Sequence, residues 1–529
     1  MRNSLFLLAM LILLAGCHSS PAVPGATVCS PDYAGVTVPP NIAPLNFCLD
    51  GAALRSARVT VTGESFSLRV RARGGRVMFP VRRWRRLLEA EKGHTLQVTV
   101  RGRGEAGCSY SFDVSEDAID EYVTYRLINP SFEVWHKVEI RERNLTNFDE
   151  RVLSDWKHTD NSCMNCHTHC NARGDLSFFH LRGAGGGTVL NRDGVLRKLN
   201  LKSDSMPVAA AYGDLHPSGR YAVYSWNSVI PSLRALGSNR MEIYDTASDL
   251  LVADFDNNRL LFSPLTSGSD VLETFPTFAP DGESITFCRA TYHALPDSIE
   301  HIRYSLVRIP FDAATGQQGD SIETLWNGEE QDGSASFPKY SPDGRFLMFC
   351  RSDFGTFPIW HRETRLQMID MTTGELKTLD ALADAKARAN ESSAELAPAM
   401  PNRRQTKCSA ELVRAMPRCE GGKDAQRLSA AETRPKVNAS STYHSWSSNG
   451  RWIAFASKRG DGQFGRVWFA HVDEEGNAAR PFVLPQRDPE HDRLCMRSFN
   501  IPDLGCTPVP FDARTIGKLR KNVEAEVFK

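Results

Sequence analysis

The chain carries no excess charge of either sign, because Lys+Arg and Asp+Glu both total 63. That balance lacks the basic footprint of a nucleic-acid binder, and no nucleic-acid partner is expected. Long apolar runs are equally scarce. Leu5 to Leu14 is apolar, but it falls short of the roughly 20 residues that cross a bilayer, and no later segment comes close. A G-x-S-x-G nucleophile elbow is missing, and only about 40 residues follow the last repeated segment, too few for a hydrolase domain. Peptidase activity is therefore not expected. The paired carboxylates Glu329/Glu330 and Glu474/Glu475 lie in polar turns and read as solvated loop residues.

What the first residues do contain is the pattern of an export signal. Arg2 supplies a positive start, Leu5 to Leu14 the apolar stretch, and Leu14-Ala15-Gly16-Cys17 has the form of a lipobox, in which the cysteine becomes the lipidated first residue. The expectation is a signal peptide over 1–16, lipidation at Cys17 and a linker over 17–32. The mature chain is then lipid-anchored in a bacterial cell envelope and faces the periplasm, the outer membrane being favoured over the inner. An uncleaved anchor is the rival reading. The small-residue pair before Cys17 argues against it.

Cys163-Met-Asn-Cys166-His167 is the attachment pattern of a c-type haem. Two thiols separated by two residues can each take one vinyl group of the porphyrin, and the adjacent imidazole then meets the iron. One covalent haem c is expected, on Cys163 and Cys166, with His167 as axial ligand. Two other readings stay open: zinc held by Cys163, Cys166, His169 and Cys170, or a redox disulfide between Cys163 and Cys166. Of the 13 cysteines, setting aside Cys17, Cys163 and Cys166 leaves enough for several disulfides. Cys408 with Cys419 is the best local candidate, closing a loop whose entropy is worth about 3 kcal/mol.

Between 33 and 118 the chain alternates in period two, as in Val59/Val61, Phe66/Leu68/Val70, Leu96/Val98/Val100 and Tyr110/Phe112/Val114. This predicts a small β-sandwich, capped by a helical Trp84/Leu87/Leu88 face. Beyond it the chain repeats. His216-Pro-Ser-Gly219, Ala279-Pro-Asp-Gly282, Ser341-Pro-Asp-Gly344 and Ser447-Ser-Asn-Gly450 are tight turns, each followed by an apolar strand. The first three glycines are 63 and 62 residues apart, a period suited to propeller blades of four strands.

These turns resemble the WD40-like repeats of TolB-type β-propellers, over roughly 120 to 490. The wider arrangement includes Val38-Pro-Pro-Asn-Ile-Ala-Pro-Leu-Asn-Phe47 and places Cys163-Met-Asn-Cys166-His167 before the repeats. It resembles a family of TolB-like lipoproteins with a haem motif from Bacteroidetes-type bacteria. The expected fold is mostly β: a six-bladed TolB-like propeller over 120–510, preceded by the 33–118 sandwich. The blades are expected near 120–154, 163–202, 206–262, 274–327, 335–380 and 440–486, with an exposed insertion at 381–438.

Alignment on the turn glycines puts Tyr212, Phe275, Phe337 and Tyr443 seven positions before each. With Gly174 as the matching glycine of the haem segment, His167 falls in that aromatic slot and Cys170 becomes a buried thiol. Candidates for the sixth iron ligand are His180, Met206, His216 and His158. The same ruler pairs His180 directly with His167, where facing residues lie about 5 Å apart, too close to ligate opposite faces of one haem. Two functions follow: a monohaem electron-transfer protein that docks an envelope redox partner, or a TolB-like scaffold binding proteins or peptides at the propeller mouth, with haem structural or sensory.

Overall fold

The computed structural model describes residues 29–104, 106–129, 137–203, 209–233, 241–294, 299–379 and 440–529. Cys17, Met206, Cys408 and Cys419 lie outside the described residues, as does the 381–438 insertion. The chain is mostly β and divides into two compact units. One takes Met1–Gly35, Pro44–Val114 and Pro485–Arg493; the other takes Val36–Ala43, Ser115–Leu484 and Leu494–Lys529. The first unit thus includes a segment, 485–493, that the sequence assigned to the second domain.

In the first unit the strands Gly107–Val114, Thr95–Arg101, Arg58–Thr62 and Ser67–Arg71 pair antiparallel in that order. Alternation along a strand sends successive side chains to opposite faces, and Val59, Val61, Leu68, Leu96, Val98 and Phe112 are accordingly buried. Cys29–Ser30, Phe47–Leu49 and Arg76–Val77 form a second sheet. The helix Val81–Ala90 buries Trp84, Leu87 and Leu88, with the Trp84 ring 4.9 Å from that of Phe79 and stacked on Phe112. Directly after the helix, the buried Glu91 carboxylate accepts the backbone N–H groups of Glu64, Ser65 and Phe66 at 2.9, 2.8 and 2.6 Å. A Cβ at Gly63 would lie 2.2 Å from that carboxylate, so only glycine fits beside it.

Among the described residues the second unit holds six sheets, antiparallel but for one added strand. Sheet A runs Glu150–Asp155, Glu139–Asn144, Tyr122–Ile128, Ser498–Gly505. Sheet B runs Met164–Cys170, Arg173–Leu181, Gly187–Arg192, Val195–Asn200, with Glu526–Val527 added in parallel. Sheet C runs Ala210–Leu215, Tyr221–Leu233, Met241–Asp254, Arg259–Leu261, and sheet D runs Val271–Phe278, Ser284–Thr291, Ser305–Asp312, Gln317–Gln318. Sheet E runs Ser334–Tyr340, Phe346–Ser352, Arg365–Asp370, Leu376–Thr378, and sheet F runs Ser441–Trp446, Trp452–Ser457, Arg466–His471, Phe482–Val483. The tight turns join strands where their residues require it: Gly219, Gly282, Gly344 and Gly450 take φ of 70, 77, 74 and 68°.

One end strand of each sheet touches that of the next. The succession is Met164–Cys170, Ala210–Leu215, Val271–Phe278, Ser334–Tyr340, Ser441–Trp446, Ser498–Gly505, and the last returns to the first; these are called inner strands below. Apolar clusters fill the gaps between sheets. Leu176, Phe178 and Leu190 of sheet B meet Tyr224, Leu251 and Ala253 of sheet C, and equivalent clusters join C to D, D to E and E to F. Sheet A packs on sheet B through Ile140, Leu153, Phe179 and Val189, together with Ile516 and Leu519 of the helix Ala513–Asn522.

Two sequence expectations change here. The segment 120–154 supplies three strands of sheet A, and the fourth, Ser498–Gly505, comes from after the last repeat. The sheet B hairpin turns on Asn171 and Ala172, at φ 50 and 56°, with Cys170 facing Arg173. Gly174 is not its turn glycine. It is required instead by close approach, since a Cβ there would lie 2.4 Å from the Thr507 carbonyl.

A charged pair also ties sheet C to the loop before the third strand of sheet E. The buried His361 contacts Glu242 through Nε2 and Glu363 through Nδ1, both at 3.1 Å. Burial alone would lower its pKa, but the two carboxylate hydrogen bonds reverse this and raise it to about 9. The folded state therefore binds this proton more tightly than the unfolded chain. The resulting stabilisation, about 3 kcal/mol, is complete below about pH 6.5 and disappears as pH rises through about 9. Urea midpoints measured from pH 6.5 to 9.5 should fall over that window, and His361→Asn should flatten the fall. In the first unit, Glu91→Gln weakens three charge-assisted hydrogen bonds and should lower unfolding free energy by about 2–3 kcal/mol, read from the same denaturation.

Candidate cofactor site

The cysteine–histidine motif lies in a bulge of the sheet B inner strand. Asn165 pairs with His180 and Thr168 with Phe178, so Cys166 and His167 together face the single residue Phe179. The same irregularity recurs at Phe275-Pro276, Phe337-Pro338, Tyr443-His444 and Ile501-Pro502. Its first residue is left-handed each time: Cys166 φ 56°, Phe275 52°, Phe337 54°, Tyr443 44° and Ile501 51°.

This corrects the sequence ruler by one residue. Cys166, not His167, takes the slot of the aromatic rings, because a second irregularity between His169 and Cys170 puts an extra residue into the sheet B hairpin. His167 corresponds to Pro276, Pro338, Pro502 and His444. In the aromatic slots the rings touch, with centroids 4.0 Å apart for Phe275 and Phe337 and 4.5 Å for Phe337 and Tyr443, and Tyr212 lies 4.4 Å from Phe275. Burial raises the phenols of both Tyr212 and Tyr443, and charge on the Cys166 thiol would add to it. Burial pushes the Cys166 thiol up to about 11, against the pull of Arg182 and Arg126. It is therefore protonated at neutral pH and a poor redox nucleophile.

His167 is buried, and neither ring nitrogen makes a hydrogen bond. Burial holds its pKa down at about 3, with the charges of His169 and Arg126 adding to the effect; the backbones of Ile501 and Thr124 approach and pull weakly the other way. His444 provides an internal comparison. It sits at the matching place in sheet F and burial lowers it to about 3 as well. Its Nε2, however, is 3.1 Å from the Met348 carbonyl and its Nδ1 3.7 Å from the Cys350 sulfur. The His444 ring is satisfied at these distances, whereas the His167 nitrogens have only looser approaches to the Ile501 and Thr124 backbones. Leaving a buried polar atom unpaired costs about 1–3 kcal/mol, a cost borne at His167 as it is at His180 Nε2.

The other residues singled out in the sequence fall as follows. His180 lies on the far side of sheet B from His167, with its ring 5.7 Å from Tyr224 and its Nδ1 2.8 Å from Thr188 Oγ1. It pairs with Asn165 rather than His167, so its exclusion as a sixth ligand in this packing rests on facing a different sheet, not on crowding. Its Nε2 is also unpaired. His216 is a turn residue, with Nδ1 2.7 Å from Ser218 Oγ and Nε2 3.2 Å from the Gly282 carbonyl. His158 is partly exposed and contacts Asp155 at 2.7 Å. Cys170 is a buried thiol within the cluster between sheets B and C. His169, by contrast, shares a small cavity with His167 and donates its backbone N–H to Asp503 at 2.7 Å. The four proposed zinc donors therefore do not converge, and among the described residues no group of three or more His, Cys, Asp or Glu is arranged to hold a metal ion.

Tested against a haem, the site gives a divided result. The donor set suits the group: Cys163 and Cys166 are unbridged and His167 is neutral with free nitrogens. The packing does not, since the cavity beside His167, lined by Thr124, Ser154, His169, Phe179 and Phe511, measures only about 10 Å³. Cofactor pockets ordinarily run to about 300–1,000 Å³. Space for one water exists there, and no reaction step is derived through a porphyrin.

A Ser/His/Asp grouping also occurs, where His471 Nε2 lies 2.7 Å from Asp117 and 3.2 Å from Ser115 Oγ. Both contacts fall on the same ring nitrogen, so the imidazole cannot relay a proton between them as a hydrolytic triad does.

No family model matches the chain, and no curated protein matches it. Solved structures with some likeness include a puromycin-hydrolysing peptidase of Mycobacterium tuberculosis (15% identity, 61% of this chain and 38% of that one, TM-score 0.31). Others are the Kuenenia stuttgartiensis hydrazine synthase (9%, 73% and 46%, 0.40) and a Synechocystis apocarotenoid oxygenase mutant (12%, 89% and 95%, 0.37). The chain spans less than half the length of the first two. At such TM-scores none of them bears on function.

His167, His180 and His444 are all held neutral by burial at about 3, against about 6.5 in an unfolded chain. Unfolding must therefore take up protons as pH falls below about 6.5, and stability should decline down to about pH 3. With three such groups the slope approaches 4 kcal/mol per pH unit. Denaturation midpoints between pH 6.5 and 4 should show it, and His444→Gln should remove about one third. A ligand on His167 in the native state should leave that slope unchanged and extend the loss below about pH 3, because the imidazole would then resist protonation to lower pH still.

Proposed function

We propose that this chain is an exported lipoprotein in which the second unit is a six-bladed TolB-like β-propeller and the first a small β-sandwich, with one haem c attached through Cys163 and Cys166. Sheets A to F are read as the blades. Their inner strands contact in succession, and Ser498–Gly505 pairs with Tyr122–Ile128 so that the last part of the chain completes the first sheet, the usual means of closing such a ring without exposed edges. Lipidation at Cys17 anchors the protein to an envelope membrane facing the periplasm.

The observation that carries the haem reading is the unpaired imidazole of His167 beside two unbridged thiols, in a position where the equivalent His444 is fully partnered. When bound, a haem would supply one-electron redox chemistry, and the role that follows is electron transfer with another envelope protein. Cys163 and Cys166 would hold it, and His167, kept neutral by burial, would offer its lone pair to the iron. Arg126 and Arg182 place positive charge near the second thiol. The reading also requires the packing around His167 to open, since the present cavity is too small. That closed packing favours the second reading, an envelope scaffold binding proteins or peptides at the propeller mouth.

The test is protein produced with cytochrome c maturation machinery. Intact mass should rise by one haem, and the haem should stay with the polypeptide after denaturation. Cys163→Ser together with Cys166→Ser should abolish attachment, whereas His167→Ala should keep the mass and change the optical spectrum. Wild-type protein without added mass would reject the haem reading. If instead the His167→Ala protein restores a deletion strain fully, with its spectrum altered, electron transfer is rejected and the scaffold remains.

A further inference from the structure

Cys29 and Cys108 are 79 residues apart in sequence, yet their sulfurs lie 3.7 Å apart. Cys29 belongs to the strand Cys29–Ser30 of the three-stranded sheet in the first unit, and Cys108 to Gly107–Val114 of the four-strand arrangement beside it. The contact therefore joins the two sheets of that unit. Both residues are only partly buried, so a small reagent can reach them. Cys48 is close in sequence to this layer, but its strand register sets it across from Ser30 rather than Cys29.

We propose that Cys29 and Cys108 form a disulfide that staples the two sheets of the first unit. Covalent geometry requires the sulfurs to close to about 2.05 Å, a movement within reach of side-chain rotation from contact distance. The chemistry follows the pair's own hydrogen bond. Either sulfur can be the donor; with Cys29 donating, the bond lowers the Cys108 thiol and raises that of Cys29. Cys108 therefore loses its proton first and attacks a small-molecule disulfide such as oxidised glutathione, releasing one glutathione thiolate. Cys29 then gives up its proton and attacks the Cys108 sulfur of the mixed disulfide, releasing the second glutathione. Two protein thiols are oxidised, one glutathione disulfide is reduced to two glutathione thiols, and no other oxidant is needed.

Formation in the cell rests on the export reading, since such bonds persist in oxidising compartments; formation in the test tube does not.

The experiment compares the full chain as isolated from the envelope with the same protein reduced and then held, folded, in a glutathione redox buffer. Each sample is alkylated under denaturing, non-reducing conditions and its peptides are mapped. In the buffer, the Cys29 and Cys108 peptides should emerge linked and lighter by two hydrogens, with Cys48 alkylated. Cys48→Ser should keep the link, and Cys108→Ser should leave Cys29 alkylated. If Cys29 and Cys108 are both alkylated after incubation in the buffer, or either is linked to Cys48, the proposal is overturned. A link that forms in the buffer but is missing in the envelope sample supports the pairing and counts against export alone.

Discussion

The second unit depends on a repeated left-handed residue in its inner strands. A non-glycine residue in that conformation costs about 1–2 kcal/mol, and Cys166, Phe275, Phe337, Tyr443 and Ile501 all adopt it. The expense is offset where it recurs, because the bulge swings each side chain off the sheet face and brings those of Phe275, Phe337 and Tyr443 into ring contact. Aromatic pairs of this kind contribute about 0.5–1.5 kcal/mol beyond their buried area. Proline follows the left-handed residue at 276, 338 and 502. It is tolerated because the ladder is already interrupted there and no N–H is missed.

The same interruption lies beside both histidines, 167 and 444. His444 stays paired with Phe455, and its ring reaches the Met348 carbonyl in the neighbouring sheet E. His167 aims at the gap between sheets A and B, where Ser154 Oγ and His169 Nδ1 are also unpaired. Three side chains around one small cavity thus present polar atoms without a hydrogen-bond partner, beside the apolar cluster that joins sheets A and B.

Local chemistry made much of this legible in advance. The Pro-Asp-Gly turns and the apolar runs after them are confined to a few residues, and each appears where its residues predict it. Alternation in the first unit and the Trp84 helix were readable for the same reason. What escaped was non-local or off by one. Ser498–Gly505 pairs with a strand some 370 residues earlier, and no local periodicity announces such a partner. A usable signal existed, since Ile501-Pro502 repeats the pattern of Phe275-Pro276 and Phe337-Pro338. The slip at Cys166 came from treating Gly174 as a turn residue, when its lack of a side chain serves close packing against Thr507.

That one-residue shift matters for the proposed haem. With His167 in the aromatic slot, thiol and imidazole would have met a bound group from ordinary strand geometry. With Cys166 in that slot, its thiol keeps company with Tyr212 and Tyr443 while His167 lies against Thr124 and Ile501. A single planar group bonded to both must bring these two neighbourhoods together, and the bulge is the element that can yield. It is already the weakest part of the strand pairing, held by no ladder bond between Asn165 and Thr168. Cofactor attachment would therefore be resisted less by the six-sheet frame than by the apolar contacts of Phe179 and Phe511 beside His167.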